Sequence, residues 1–281
     1  MIKVIRSFSE MSAFSRRSRE RGQRIGFVPT MGALHDGHLA LVQEARQKCD
    51  LVVVSIFVNP IQFAPGEDYE KYPRTLAHDK ELLKHFSPLV IFHPRANDMF
   101  PADFKTHVKV DELGDRLCGR YRPSHFKGVT TVVAKLLNIV MPDSIFLGAK
   151  DFQQQLIIRQ MIRDLNYAVE VHTVQTVREY DGLAMSSRNA YLKENERKSA
   201  GGVYKVISRA KKMIKEGDQD LRKIHLMISR QLGMIPSLRM EYIAIVDPET
   251  LQDKKDTKLP ILIAVAGKIG KTRLIDNVLI T

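Results

Sequence analysis

The sequence predicts an α/β fold: a doubly wound parallel sheet followed by a smaller α+β domain. Three observations carry that expectation. Short continuous apolar runs, such as "LVVVSI" (51–56), "LVIF" (89–92) and "SIFLG" (144–148), recur between stretches of helical length. Strands covered on both faces of a parallel sheet have this character. Strands and helices alternate as far as about residue 180, as in a doubly wound sheet. Beyond that point two amphipathic helices precede three strands, the pattern of a separate α+β unit. The expected domains are 1–180 and 181–281, with the boundary between Val177 and Tyr191.

Taken in order, "MSAFSRRSRERG" (11–22) is rich in Arg and Ser but flanked by Glu10 and punctuated by Glu20. It reads as a solvated first helix rather than a transit peptide, and no apolar core of a signal peptide precedes it. "QRIGFVPT" (23–30) is a short strand, and "HLALVQEARQKC" (38–49) has helical spacing at Leu39, Val42 and Ala45. "DLVVVSIFVNP" (50–60) is a β-branched, buried strand, "LLKHF" (82–86) a helix and "PLVIFHP" (88–94) a further buried strand. "GVTTVVAKLLNIVMP" (128–142) has helical length and stops at a proline, as a helix must. "SIFLG" is a strand, "DFQQQLIIRQMIRDLN" (151–166) a strongly amphipathic helix and "AVEVHTVQTVRE" (168–179) a partly alternating strand. In the C-terminal part, 193–217 and 220–233 read as two helices, and 238–248, 259–267 and 272–281 as strands.

Composition narrows the function classes. With 44% hydrophobic and 27% charged residues, the chain has the means to bury a core. No apolar run approaches the ~20 residues of a membrane helix, so no membrane partner is expected. The net charge of +12 suits an anionic small substrate, a nucleic acid or simply a basic surface. There is no Trp, and the basic clusters at 16–24 and 208–215 read as solvated helix faces, so no nucleic-acid partner is expected. Cys49 and Cys118 lack any metal or redox spacing and are expected to be reduced thiols of a cytoplasmic protein.

The chemistry concentrates at strand ends, where doubly wound sheets bind ligands. In "VPTMGALHDGHLALV" (28–42) a strand runs through a glycine-bearing loop into His35, Asp36, Gly37 and His38, at the start of a helix. A helix N-terminus attracts anions, and residues at i and i+3 share a face. Capping or packing is the structural alternative for the two histidines. The His-x-Gly-His spacing resembles that of the adenylate-forming enzymes known as the HIGH group. Such enzymes also carry a phosphate-gripping segment, and "GLAMSSRN" (182–189) offers Ser186, Ser187 and Arg188, with Gly182 to allow movement. "LGAKDFQQQ" (147–155) is another strand end: Lys150 suits a triphosphate, Asp151 a helix cap or ribose hydroxyls, and Gln153 and Gln154 lie in the first turn. "VNPIQF" (58–63) supplies the neutral amides of Asn59 and Gln62, which suit a carboxylate that must stay nucleophilic. A P-loop-like "VAGKIGKT" (265–272) is a decoy, because Val265 stands where the first glycine should be and strands flank it.

Together, "PTMGALHDGH", "SIFVNPIQF", "YPRT", "RPSHFKGVTTVVAKLLNIVMPD", "GAKDFQQ", "REYDGLAMSSRN" and "TRLIDN" resemble the pantothenate synthetase, or pantoate–β-alanine ligase, family. The resemblance implies a Rossmann-like nucleotide- and pantoate-binding domain and a smaller lid domain. It implies an AMP-forming ligase of pantothenate and coenzyme A biosynthesis, working through a pantoyl adenylate. ATP, (R)-pantoate and β-alanine are the implied ligands, with Mg2+ accompanying ATP, in a homodimer. The implied ATP contacts are Met31, Gly32, Ala33, Leu34, His35, Asp36, Gly37, His38, Gly148, Ala149, Lys150, Asp151, Val177, Met185, Ser186, Ser187 and Arg188. His38 maps onto the proton donor, Gln62 and Gln154 onto pantoate contacts, and Gln62 also onto β-alanine. His38 and Lys150, helped by His35, are the residues expected to stabilise the reacting phosphate. Asn59 is expected beside pantoate as a neutral amide.

Four departures stand out. Tyr180 replaces a proline and is expected to loosen the hinge; Ala149 sits within the Gly-x-Lys-Asp stretch; Ser124 replaces a glycine, with local strain expected. His78 and Asp79 stand where an acidic, metal-side pair is found in some members, leaving protein ligands for a metal unassigned. The competing readings are a nucleotidyltransferase that attaches AMP to a phosphate, and a non-catalytic RNA-binding module.

Overall fold

Six parallel strands form the first sheet of the computed structural model, which describes residues 2–281. They are β1 (Ile2–Ile5), β2 (Ile25–Thr30), β3 (Leu51–Ile56), β4 (Leu89–Phe92), β5 (Ser144–Gly148) and β6 (Glu170–Val174), in the order β1-β4-β3-β2-β5-β6. Phe27 of β2 pairs in register with Val53 of β3 on one side and Ile145 of β5 on the other. From β2 the chain winds through β3 to β4, then crosses back and winds through β5 to β6. The reversal lies between β2 and β5, the position where doubly wound sheets leave a crevice at their carboxyl edge.

Alternation along the strands makes two cores. Phe27, Val53, Val90, Phe92 and Ile145 pack with α1 (Phe8–Glu20) and with two helices described below. Val28, Val52, Val54, Ile91 and Phe146 face the opposite side, against Leu41, Val42 and Ala45 of α2 (Asp36–Lys48) and Leu83 of α3 (Leu76–Leu83). Both faces are covered, which is why the strands read as continuous apolar runs rather than alternating ones. Two short helices, α4 (Ala96–Met99) and α5 (Cys118–Tyr121), interrupt the connection to α6 (His125–Val140). Nearly the whole of α6 is buried, and its Val129, Val132, Val133, Leu136 and Leu137 join the first core with Ile158, Met161 and Ile162 of α7 (Phe152–Asp164).

Two compact units are distinct. The first holds the chain up to Gly114, Arg122–Ala149 and Gln153–Gln175; the second holds Asp115–Tyr121, Lys150–Phe152 and Thr176–Thr281. In the second unit, β7 (Leu238–Val246), β8 (Ile261–Ile269) and β9 (Thr272–Ile280) form an antiparallel sheet in that order. Its Ile245, Ile261, Ile263, Val265 and Val278 pack with Val206, Ile207 and Ala210 of α9 (Gly202–Lys215) and Ile224, Ile228 and Leu232 of α10 (Leu221–Gly233). Asp220 caps α10 by accepting from the N–H groups of Arg222 and Lys223 at 2.9 and 3.0 Å. Among the described residues, no helix is long and apolar enough to cross a membrane.

Several elements differ from expectation. β1, four residues long, pairs with β4 at the sheet edge, and its brevity hides it in the sequence. The long helix expected over 193–217 breaks at Gly201 into α8 (Glu194–Ala200) and α9, and Asp181 Oδ2 lies 2.6 Å from where a Cβ on Gly201 would be, so no larger residue fits there. The strand expected over 168–179 keeps only β6, and its remainder enters the second unit. The glycine-lysine stretch near the C-terminus turns tightly at Gly270, φ +57°, between two strands, as expected of the decoy.

Candidate active site

The segments that follow β2, β3 and β5 leave the same edge of three adjacent parallel strands. After β2 the loop is locked at its root: Thr30 Oγ1 donates to the Ser55 carbonyl at 2.7 Å and accepts from Gly32 N–H at 3.1 Å. Gly32 (φ +83°) and Ala33 (φ +50°) take left-handed conformations, and α2 then begins with His35 as its N-cap. His35 Nδ1 accepts from Gly37 N–H at 3.2 Å, and His38 Nδ1 accepts from His35 N–H at 3.4 Å. The two rings lie 4.1 Å apart between centroids, tilted by 43°. The capping reading of the histidines therefore holds, and it does not exclude the catalytic one. A ring nitrogen that accepts a backbone N–H carries no proton, so Nε2 is the protonated nitrogen of each ring in its neutral form. The helix N-terminus adds partial positive charge on the same turn.

Asp79, set aside in the sequence as half of a metal-side pair, organises this loop. It is fully buried, and it accepts from Ala33 N–H at 3.1 Å, Leu34 N–H at 2.9 Å and Thr75 Oγ1–H at 3.2 Å. His78 beside it is exposed. The expected pair is thus divided between the interior and solvent. Among the described residues there is no group of three or more His, Cys, Asp or Glu able to hold a metal ion. The N–H groups of Ala33 and Leu34 are committed to Asp79, so these two expected ATP contacts have only their other atoms to offer. The sequence carried a signal for Asp79: it falls on one helical face with Leu76 and Leu83, where an acid is buried.

After β3, Asn59 and Gln62 are both buried. Asn59 Nδ2 donates to Gln62 Oε1 at 2.9 Å and to the Gly128 carbonyl at 3.1 Å, while its Oδ1 has no partner. The donors of Asn59 are therefore engaged, and what it offers a ligand is an acceptor, which suits a hydroxyl rather than a carboxylate. Gln62 Nε2 touches Met31 Sδ at 3.2 Å and has a second N–H to donate. The Gln62 backbone is clamped as well: His125 Nδ1 lies 3.0 Å from its carbonyl, and Arg122 Nη2 donates to the same oxygen at 3.4 Å. Arg122 is in turn held by Glu67 through two hydrogen bonds of 2.6 Å. Burial pushes the Glu67 carboxyl upward, but the Arg122 pair outweighs it and holds the group below its ordinary range. Ser124 sits at φ −93°, an ordinary conformation, so the strain expected from its replacing glycine is absent.

After β5 comes one turn of 3-10 helix, Ala149–Asp151, and then α7. Lys150 Nζ is 3.7 Å from Asp151 Oδ2, and the Lys150 carbonyl accepts from Asn277 Nδ2 at 2.9 Å. Among the described residues no hydrogen bond joins Asp151 to the first turn of α7, so the capping alternative is not realised there, and its carboxylate is half-exposed beside Lys150. Gln153 is buried and tethers the Leu113 carbonyl at 2.8 Å. Its neighbour Gln154 is half-buried without a hydrogen-bond partner among the described residues, the better placed of the two for a ligand.

In the second unit Val177 and Met185 are joined, Met185 N–H donating to the Val177 carbonyl at 3.0 Å. The turn between them is braced twice. Arg178 forms a bidentate pair with buried Asp276 at 2.7 and 2.9 Å, its guanidinium 3.5 Å from the Tyr204 ring centroid. Arg197 bridges Glu179 and Asp181. That pairing holds the Asp181 carboxyl below its ordinary range and Arg197 above its own. Tyr180 is 98% exposed, and the Arg197 guanidinium that bridges Glu179 and Asp181 also lies over its ring, 5.8 Å from the centroid. Gly182 has φ +94° with Tyr204 Cδ1 2.6 Å from where a Cβ would stand, so shape too requires a glycine here. Ser186 caps the next turn, Ser187–Tyr191, by accepting from Arg188 N–H at 3.3 Å.

The family model described as pantoate-beta-alanine ligase matches residues 3–279. A pantothenate synthetase of Thermodesulfovibrio yellowstonii is 48% identical over 283 residues, covering 99% of this chain and 100% of that protein. One of Thermotoga petrophila is 47% identical over 279 residues, with the same coverage. Among solved structures, a pantothenate synthetase from Thermus thermophilus superposes with a TM-score of 0.94 at 42% identity, covering 98% of each chain. A pantoate-beta-alanine ligase from Francisella tularensis, complexed with beta-gamma ATP and beta-alanine, superposes with a TM-score of 0.82 at 34% identity, covering 99% of this chain and 98% of that one.

Proposed function

The chain belongs to the pantoate–β-alanine ligase family, and from that premise we infer that it joins (R)-pantoate to β-alanine at the expense of ATP. The products are pantothenate, AMP and pyrophosphate. The observation that carries the reading is the family match from residue 3 to 279, with the capped histidine pair standing at the point where the sheet reverses.

The chemistry runs in two steps. A pantoate carboxylate oxygen attacks the α-phosphorus of ATP, the new O–P bond replaces the bond to the bridging oxygen, and pyrophosphate leaves. The free amine of β-alanine then attacks the acyl carbon of pantoyl adenylate, a C–N bond forms, the C–O bond to phosphate breaks, and AMP departs as the amine loses its proton. No side-chain nucleophile is needed, and the protein's task is to place reactants and stabilise charge.

The residue roles proposed follow from the chemistry of each side chain. His38 Nε2–H donates to the reacting phosphate as negative charge grows there, helped by His35 and by the N-terminus of α2. Lys150 supplies a second cation to the phosphates, and Asp151 suits the ribose hydroxyls. Ser186, Ser187 and Arg188 hold the departing pyrophosphate, and Val177 and Met185 line the nucleotide. Gln62 and Gln154 donate neutral hydrogen bonds to pantoate, Gln62 also meets β-alanine, and the unpartnered Oδ1 of buried Asn59 accepts from a pantoate hydroxyl. Mg2+ would come with the ATP substrate, where it would offset phosphate charge while keeping several waters. A homodimer in the cytoplasm is the assembly and compartment expected.

The test is AMP release by the purified protein with Mg-ATP, D-pantoate and β-alanine, each omitted in turn. AMP only from the complete mixture is the expected result. Pyrophosphate without AMP would retain the adenylation half and remove β-alanine as the amine. Neither product, from folded protein, would overturn the reading in favour of a phosphate acceptor.

A further inference from the structure

We propose that Asp79 is a positioning residue for this reaction, holding from the interior the loop that presents His35 and His38. The proposal rests on the reading above, that the Met31–His38 segment receives ATP.

The loop needs such a partner. Two successive residues, Gly32 and Ala33, stand in the left-handed region, and for Ala33 that conformation is intrinsically unfavourable. The N–H groups of Ala33 and Leu34 both point to one carboxylate, which a third donor, Thr75 Oγ1–H, also meets. The fit is close: a Cβ on Gly32 would lie 3.0 Å from Asp79 Oδ2 and 2.9 Å from Ile56 Cγ2. Leu34 is buried, and the next residue is the His35 cap, whose own N–H meets His38 Nδ1. Asp79 thus holds the two residues that lead directly into the histidine pair.

Three donors converging on one side chain call for an acid. An asparagine there would turn its own N–H2 toward one of those donors and leave both without an acceptor. Both oxygens are occupied from within the protein, so the side chain acts through the loop and touches no substrate. The exposed neighbour His78 lies outside this arrangement.

The experiment compares the whole protein with Asp79→Asn, Thr75→Val and His38→Ala, using kcat and KM for each of the three substrates, with circular dichroism and urea unfolding to establish the folded fraction. Because a displacement of about 1 Å in a positioned group can cost on the order of 10²-fold in rate, Asp79→Asn should lower kcat/KM for ATP at least about tenfold. The KM for β-alanine should stay within about twofold of wild type, a split that general loosening of the fold would not produce. Thr75→Val removes one of the three hydrogen bonds while keeping the side-chain shape, and should move kcat/KM for ATP in the same direction by a smaller factor. It keeps the question answerable if Asp79→Asn does not fold. Folded Asp79→Asn or Thr75→Val with wild-type constants for ATP, beside an impaired His38→Ala, would overturn the proposal and leave the assignment of the site intact. Wild-type activity in His38→Ala would overturn the site assignment, and the proposal with it.

Discussion

At the first turn of α2, two imidazoles each use one ring nitrogen to hold the backbone. Nδ1 of each accepts a backbone N–H, and in the proposed reaction the Nε2–H of His38 is the donor to the phosphate. Replacing His38 by Ala should lower kcat on the order of 10²-fold, the usual consequence of losing one donor aimed at developing charge, as steady-state AMP release would show. His35→Ala should in addition lose the cap and cost about 1 kcal/mol of stability in urea unfolding. The pair was legible from its spacing alone. What spacing did not reveal is how hydrogen-bonding capacity is divided. Asn59 and Gln62 look equivalent in "VNPIQF", yet Asn59 has both N–H groups engaged and Gln62 does not. Gln153 and Gln154 are likewise adjacent, and one is a buried tether while the other has no partner among the described residues. Such assignments depend on which acceptor stands opposite, and that acceptor comes from residues 40 to 69 positions away.

At the scale of elements, two close fits decide where the site residues stand. Helix α6 meets the 3-10 turn Pro60–Gln62 so closely that a Cβ on Gly128 would be 2.4 Å from the Ile61 carbonyl oxygen and 2.6 Å from Gln62 Cα. Gly128→Ala should therefore destabilise the protein by about 1–3 kcal/mol in urea unfolding, as overpacking does, and raise the KM for pantoate by displacing Gln62. In the second unit the turn before Ser186 depends on Arg197, which bridges Glu179 and Asp181. Because Arg197 holds the folded-state pKa of Asp181 below the ordinary 3.8, the stability from this pair is present above that value. It is lost as pH falls through the depressed folded value. Asp181→Asn should cost about 1–2 kcal/mol at neutral pH, and the difference from wild type in denaturant unfolding should shrink at about pH 3 and below. The elements themselves were mostly readable: a strand buried on both faces and a 3.6-residue apolar period each leave a local mark. The four-residue β1 leaves little local mark, since its pairing partner β4 is distant in sequence.

At the scale of the whole molecule, a protein that binds nucleotide only when folded must be stabilised by it. Mg-ATP at about 100 times its Kd should add about 2.7 kcal/mol to the unfolding free energy, seen as a ligand-dependent rise in the unfolding midpoint. By itself the sequence determined the fold class, the loops after β2, β3 and β5 as the candidate site, and the kinds of residue that stand there. These are local or periodic properties, written in hydrophobic pattern, glycine placement and motif order. Only the tertiary structure decided which hydrogen bonds those residues make within the protein. It turned Asp79 from half of an expected metal pair into an internal brace, relieved Ser124 of strain, closed the turn around exposed Tyr180 and made Gly182 a packing requirement. The physical reason is the same in each case. A polar group's role depends on which donors and acceptors meet it in the interior, and distant parts of the chain supply them.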